Sequence, residues 1–223
     1  MDKDIQLVRM PILSTANNEI IGFEVLLRMF HGIPVTIFNL HPELYAELSF
    51  ELLKAIFTKD KLGLIRNSEQ LLFINFTIPQ LLSEGTLRFL ISLDEKETIL
   101  NNVVIEITEH ELLNQSQEVI ERILLLKKFN CRFAVDDFGN KNSNFYNVFE
   151  LKPDYIKLDG NMVHRYSMEK EPAPLAKLIQ LCHELNIEVI AEGIENKEMY
   201  DTLSNISSDY LQGYYFGLPE QIR

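Results

Sequence analysis

Short apolar runs along this chain end, one after another, in a residue that an apolar run should avoid. Asn75 closes "LLFIN", Glu106 lies in "VVIEITE", Asp136 and Asp137 close "FAVDD", Lys157 and Asp159 lie in "YIKLD", and Glu192 follows "EVIA". From Asn75 to Glu192 they recur roughly every twenty to thirty residues, the length of one strand-plus-helix unit. Gln212 in "YLQGYYF" and Glu24 in "GFEVLLR" extend the series at either end. The β-branched runs give candidate strands at Ile5–Leu13, Ile20–Leu27, Leu71–Phe76, Val103–Thr108, Arg132–Asp136, Tyr155–Asp159, Glu188–Ala191 and Tyr210–Phe216. Segments of helical period lie between them, at Pro42–Thr58, Pro79–Leu93, Glu111–Phe129, Ser143–Leu151, Pro172–Leu185 and Lys197–Ile206. Pro42, Pro79 and Pro172 suit first-turn positions, and Asn114 or Ser116 suits a cap. Alternating strands and helices imply an α/β fold with a parallel sheet, and about eight strands in about 220 residues suggest a closed barrel. The short loop "STANNE" joins the first two strands as an antiparallel hairpin. An open doubly wound sheet is the fallback, but neither GxGxxG nor GxxxxGK[ST] occurs to support it.

Composition narrows the classes. With 223 residues, 46% of them hydrophobic, and no linker-like tract, one large domain is expected. A net charge of −12 argues against a basic face for polymeric nucleic acid. No apolar run is long enough for a membrane span, and the charged "MDKDIQL" start is not a signal peptide, so the cytoplasm is the expected location. Cys131 and Cys182 lack CxxC spacing and read as small buried hydrophobes.

In a barrel of this kind the C-terminal ends of all strands meet at one rim, so residues far apart in sequence converge. A single acidic strand end is ordinarily a turn or cap residue; six in phase are hard to explain that way. Tyr155, Lys157 and Asp159 share one strand face, and the bland reading there is an isolated buried ion pair. Glu109 and Glu195 lie three residues beyond Glu106 and Glu192, in loops, and suit positioning or a solvated surface. A crowd formed by Glu24, Glu106, Asp136, Asp137, Asp159 and Glu192 must either bind cations or raise its own pKa values. With the Asn75 amide, this oxygen-rich set suits Mg²⁺ or Mn²⁺ better than Zn²⁺. His31, His41, His110, His164 and His183 form no HxH or HExxH pair. Adjacent Asp136 and Asp137 can hold a metal pair about 4 Å apart, the arrangement used for in-line displacement at phosphorus.

In order, "EVLLR", "NFT", "VIEITE", "DDFG", "DYIKLD", "VIAEGIE" and "YLQGYYFGLP" resemble the EAL family of bacterial cyclic di-GMP phosphodiesterases, from about Arg9 to Pro219. "DDFG" alone would also suit a protein kinase, but the HRD motif and Gly-rich phosphate loop are missing. The resemblance implies a modified (β/α)8 TIM-type barrel with an antiparallel first strand and no cyclase or sensor domain. It also implies hydrolysis of cyclic di-GMP to linear pGpG with two Mg²⁺ or Mn²⁺ ions. Glu24, Asn75, Glu106, Asp136, Asp137, Asp159 and Glu192 would hold the metals, Lys157 would hold and polarise the attacking water, and Glu192 is also a candidate base. By the same resemblance Arg28 would contact a phosphate, Gln212 would position the metal site or the substrate, and Glu195 would brace it. Glu109 would anchor the loop after Asp137, which in the family links metal binding to dimer contacts, so a homodimer is open.

Three positions depart from the family pattern. Met10 stands where a glutamine is usual, Val25 replaces the signature alanine, and Asn140-Lys141-Asn142-Ser143 replaces Thr-Gly-Tyr-Ser. Met10 and the altered loop keep a second reading open, a weak or inactive cyclic di-GMP receptor or protein-interaction module.

Overall fold

The protein is described from a computed structural model over residues 5–30, 32–34, 53–54, 56–57, 70–97, 99–112, 117–140, 150–168 and 172–222. Most of the helices expected over Pro42–Thr58 and Ser143–Leu151, the caps Asn114 and Ser116, His31, His41 and residues 141–143 lie outside these segments.

Ten strands form one sheet: β1 (Ile5–Ser14), β2 (Ile20–Phe30), β3 (Ile33–Pro34), β4 (Leu71–Asn75), β5 (Val103–Thr108), β6 (Arg132–Phe138), β7 (Tyr155–Leu158), β8 (Glu188–Ala191), β9 (Tyr210–Leu211) and β10 (Glu220–Gln221). The order β1-β9-β8-β7-β6-β5-β4-β2 closes on itself through the β1–β2 pairing, giving an eight-stranded barrel. β1 runs antiparallel to both β2 and β9, and the ladders from β2 round to β9 are parallel. The link after β1 is too short for a parallel crossover, which needs a dozen or more residues. Instead it turns tightly, with Asn18 at φ 59° donating its N–H to Ser14 O at 2.9 Å.

Seven helices are described: α1 (Ile78–Leu82), α2 (Glu84–Glu97), α3 (Glu109–Leu112), α4 (Gln117–Lys127), α5 (Gly160–Met168), α6 (Ala173–Glu184) and α7 (Lys197–Asn205). The single helix expected over Pro79–Leu93 divides because Ser83 is extended, at φ −64° and ψ 123°. Its hydroxyl then accepts the Thr86 N–H at the start of α2. Helix α5 has no counterpart in the sequence reading, and the Asp159 carboxylate caps its first turn. The strand expected over Tyr210–Phe216 stops at Leu211, because the chain turns where the Gly213 backbone packs against that of Ile194. The two-residue strands β3 and β10 were too short to read from periodicity.

Apolar side chains fill both sides of the sheet, as a parallel barrel requires. Outside, a large cluster joins the strands to the helices. Inside, Ile12, Phe73, Val104, Ala134, Tyr155 and Ile190 make a plug, with Tyr155 edge-on to Phe73 at 5.3 Å and to Tyr210 at 6.1 Å. Side chains alternate along a strand, so the residue two positions further on shares the interior face. Counting two from Phe73, Val104, Ala134, Tyr155 and Ile190 gives Asn75, Glu106, Asp136, Lys157 and Glu192. The plug therefore serves as a floor, and the polar residues form the next layer above it.

A Cβ at Gly213 would overlap the Ile194 backbone, which cannot move without disturbing the hydrogen bond from Ile194 N–H to Gln212 O. Gly213→Ala is expected to destabilise the fold by about 2 kcal/mol or more, lowering Tm by roughly 4 °C or more in a thermal melt.

Candidate functional site

Lys157 is the centre of the rim. Its side chain is 1% exposed, and Nζ lies 2.8 Å from Glu192 Oε1, 2.9 Å from Glu106 Oε1, 3.0 Å from Asp136 Oδ1 and 3.6 Å from Glu24 Oε2. Burial opposes the ammonium charge, but the carboxylates of Asp136, Glu106, Glu192 and Glu24 outweigh it and hold the Lys157 pKa well above its ordinary value. One cation cannot balance the group. Burial pushes the Glu106 carboxyl well up, with Glu24 and Asp136 adding to the effect against Lys157. Burial also raises Glu192, to about 8, and raises Asp137, whose nearest further cause is Asp136.

Glu24 is held by two side-chain amides. Asn75 Nδ2 donates to its Oε1 at 3.2 Å and Gln212 Nε2 to its Oε2 at 2.7 Å. Asp159 is differently occupied: its Oδ1 accepts the N–H groups of Asn161 and Met162, both at 3.1 Å, and Asn161 Nδ2 approaches Oδ2 at 3.4 Å. Glu109 is buried at the start of α3 and accepts the Gly139 N–H at 3.3 Å. Glu195 is exposed in the loop between β8 and α7. His110, His164 and His183 stand on helices, and His183 pairs with Asp209 at 2.8 Å rather than with the rim.

Two irregularities in the ladders aim side chains that alternation alone would misplace. Between β6 and β7 the pairing steps from Val135↔Ile156 to Phe138↔Leu158, so β6 carries one extra residue, and Asp137 there has φ 55°. Neighbouring strand residues normally face opposite ways; the bulge brings both aspartates to one side. Oxygens of Asp136, Asp137 and Glu192 consequently lie within 4.8 Å of one another. Between β1 and β2 the pairing steps from Gln6↔Met29 to Leu7↔Leu27, leaving Arg28 as the extra residue, exposed near the upper end of β2. On the same ladder Met10 is paired with Glu24.

The donor set tests whether a cation fits. Among the described residues, Glu106 Oε2 and the Gln212 amide oxygen are buried without a hydrogen-bond partner, and Glu106 Oε1 and Asp136 Oδ1 have only the shared Lys157 ammonium, at 2.9 and 3.0 Å. An unsatisfied buried acceptor costs about 1–3 kcal/mol, and more when charged. Divalent cations would supply what these oxygens lack, and an all-oxygen set suits the hard ions Mg²⁺, Mn²⁺ or Ca²⁺.

The EAL domain family model matches residues 2–219. The cyclic di-GMP phosphodiesterase PdeB of Shewanella oneidensis is 31% identical over 178 residues, covering 77% of this chain and 21% of that protein. The cyclic di-GMP phosphodiesterase PdeA of Borreliella burgdorferi is 28% identical over 208 residues, 89% of this chain and 31% of that protein. The chain thus spans between a fifth and a third of the length of these relatives. Among solved structures, the Klebsiella pneumoniae BlrP1 manganese/cyclic di-GMP complex superposes with a TM-score of 0.85 at 24% identity, over 99% of this chain and 57% of that one, and so shares the barrel fold.

Metal-free protein should carry the imprint of the crowded carboxylates. Glu192 has an ordinary value of 4.5 and titrates near 8 in the folded chain, so between these values the folded state holds a proton that the unfolded state has released. Its contribution to stability is therefore full below about pH 4.5 and is lost as pH rises through about 8. Glu192→Gln is expected to flatten that part of the Tm-versus-pH curve measured in EDTA. An unchanged slope would show that Glu192 ionises freely.

Proposed function

The chain belongs to the EAL domain family, and from that premise we propose that it is a cytoplasmic phosphodiesterase that hydrolyses cyclic di-GMP to linear pGpG. Relatives named cyclic di-GMP phosphodiesterases support the reading. The observation that carries it is the cluster of buried carboxylates that share a single cation, Lys157, among the described residues. A structural ion pair would have matched charge; this site has an excess of negative oxygen.

In this proposal Glu24, Glu106, Asp136, Asp137, Asp159 and Glu192 hold two Mg²⁺ or Mn²⁺ ions with the Asn75 carbonyl oxygen, since the Asn75 amide nitrogen is already committed to Glu24. When bound, two such ions neutralise charge and activate water and phosphate as Lewis acids. The side chains then divide the remaining work. Lys157, held charged by its neighbours, can donate hydrogen bonds to the attacking water but cannot take its proton. In its ionised form Glu192 can, since its Oε1 lies 2.8 Å from the same ammonium. Water oxygen joins phosphorus as the 3′ ester P–O bond breaks, and the water proton passes to Glu192 and from there, directly or through solvent, to the departing 3′ oxygen, which restores the carboxylate. Arg28 at the outer edge contacts a substrate phosphate, and Gln212 keeps Glu24 oriented. Glu109 steadies the turn after Asp137 through Gly139, while Glu195 braces the loop beyond Glu192.

The receptor reading rests on Met10, which is paired with Glu24 and brings a thioether where an amide would reach substrate. Retention of the whole acidic set favours the enzyme. The deciding experiment incubates the protein with cyclic di-GMP and Mn²⁺ and identifies the product by mass. Appearance of pGpG, abolished by excess EDTA, is expected; binding without turnover would favour the receptor, and turnover in EDTA would exclude the metals.

Lys157→Met keeps the side-chain length and removes the ammonium. The expected result is a kcat lower by about 10² or more with cyclic di-GMP binding largely kept, the scale of losing a group that positions a proton transfer. Wild-type kcat would exclude Lys157 from the chemistry.

A further inference from the structure

One residue outside the acidic set touches the surroundings of two of its members. Met162 is the third residue of α5, and its backbone N–H donates to Asp159 Oδ1 at 3.1 Å. Its side chain reaches the other way. Sδ and Cε fill the space that a Cβ on Gly139 would occupy, and Gly139 has φ +96°, a conformation that side-chain-bearing residues rarely adopt. Gly139 lies in the turn that follows Asp137, closed by the Asn140 N–H to Asp137 O at 3.2 Å. Opposite Met162, the Gly139 N–H is tied to Glu109.

Resting on the metal reading above, we infer that Met162 is a positioning residue for Asp137, packing the turn so that its carboxylate stays on the metal side. Asp137 is exposed and holds a left-handed φ of 55°, so its own packing does little to keep it there. Gly139, two residues on, would let the turn beyond Phe138 relax into many conformations if nothing lay against it. The thioether supplies that wall. Methionine suits the task because its unbranched chain can follow the glycine surface closely. The backbone contact to Asp159 fixes where the side chain begins, so Met162 adds a side-chain contact between the start of α5 and the β6 bulge to the backbone bond from Asp159 N–H to Phe138 O.

The test counts Mn²⁺ bound to substrate-free protein by electron paramagnetic resonance of the free ion, with melting in EDTA as a check of folding. Met162→Ala empties the wall and should bind Mn²⁺ about tenfold more weakly, the scale seen when a ligand's supporting partner is lost. Met162→Leu keeps the volume and should stay within about twofold of wild type, and at saturating Mn²⁺ the alanine variant should recover most of its kcat. Should Met162→Ala fail to fold, Met162→Val removes the same Sδ and Cε while keeping more of the buried volume near the backbone, with about threefold weaker binding expected. Wild-type Mn²⁺ affinity in a folded alanine or valine variant overturns the inference and leaves the proposed function standing. Equal weakening in Met162→Leu overturns it too, because the sulfur rather than the packing would be responsible. A wild-type protein that binds no Mn²⁺ removes the metal reading and this inference together.

Discussion

A single buried ammonium facing a ring of carboxylates governs this molecule's upper layer. Lys157 could not remain charged at 1% exposure without partners, and its partners could not remain charged without it. The balance is deliberately incomplete in the chemical sense that buried oxygens of Glu106 and Asp136 share one ammonium, and Glu106 Oε2 has no hydrogen-bond partner among the described residues. A stabilising ion-pair network would satisfy such atoms, because each unpaired one weakens the fold. Negative oxygen gathered above an apolar floor instead makes a site suited to positive charge, and under the proposed function substrate phosphates would approach only after that charge arrives. Binding of cations and of an anionic substrate would then be two parts of one electrostatic arrangement.

The floor makes the arrangement sharp. Phe73, Val104, Ala134, Tyr155 and Ile190 exclude water from below, and the polar residue two positions further along each strand inherits a low-dielectric environment on one side. This explains why Glu192 and Glu106 are both pushed toward protonation while Lys157 keeps its proton. The outer cluster keeps the strands in register, and the register keeps the polar residues at one height.

Much of this was legible in the sequence because the barrel repeats itself. A polar residue at the same place in successive strands is a periodic signal, and it located Asn75, Glu106, Asp136, Lys157 and Glu192 on one layer. The antiparallel β1 followed from a loop too short to cross over. What stayed hidden depends on contacts between distant segments. Alternation places Asp137 on the opposite face from Asp136, and only the extra residue in β6 against β7 brings them together. Arg28 is likewise the extra residue of β2 against β1, visible only in the ladder. Nor does any local pattern announce that Asn75 and Gln212, 137 positions apart by their numbering, both donate to Glu24. The division of the Pro79–Leu93 segment at Ser83 was missed because its apolar period continues across the break.

The bulge at Asp137 also bears on the choice between enzyme and receptor. A left-handed non-glycine residue costs of order 1–3 kcal/mol, and such a conformation persists only where the surroundings enforce it. Here the enforcement comes from several directions: the ladder resumes at Phe138↔Leu158, Glu109 accepts the Gly139 N–H, and Met162 fills the far side of Gly139. A pocket that only held a nucleotide would gain nothing from bringing a second carboxylate beside Asp136, where it raises repulsion toward the anionic ligand. The same placement is useful once two cations must sit side by side, because adjacent ions need ligands that reach both. Under the proposed function, the strain would belong to catalysis at phosphorus. On the same proposal Met10, paired with Glu24, would act on how firmly substrate is held rather than on whether the bond can be broken.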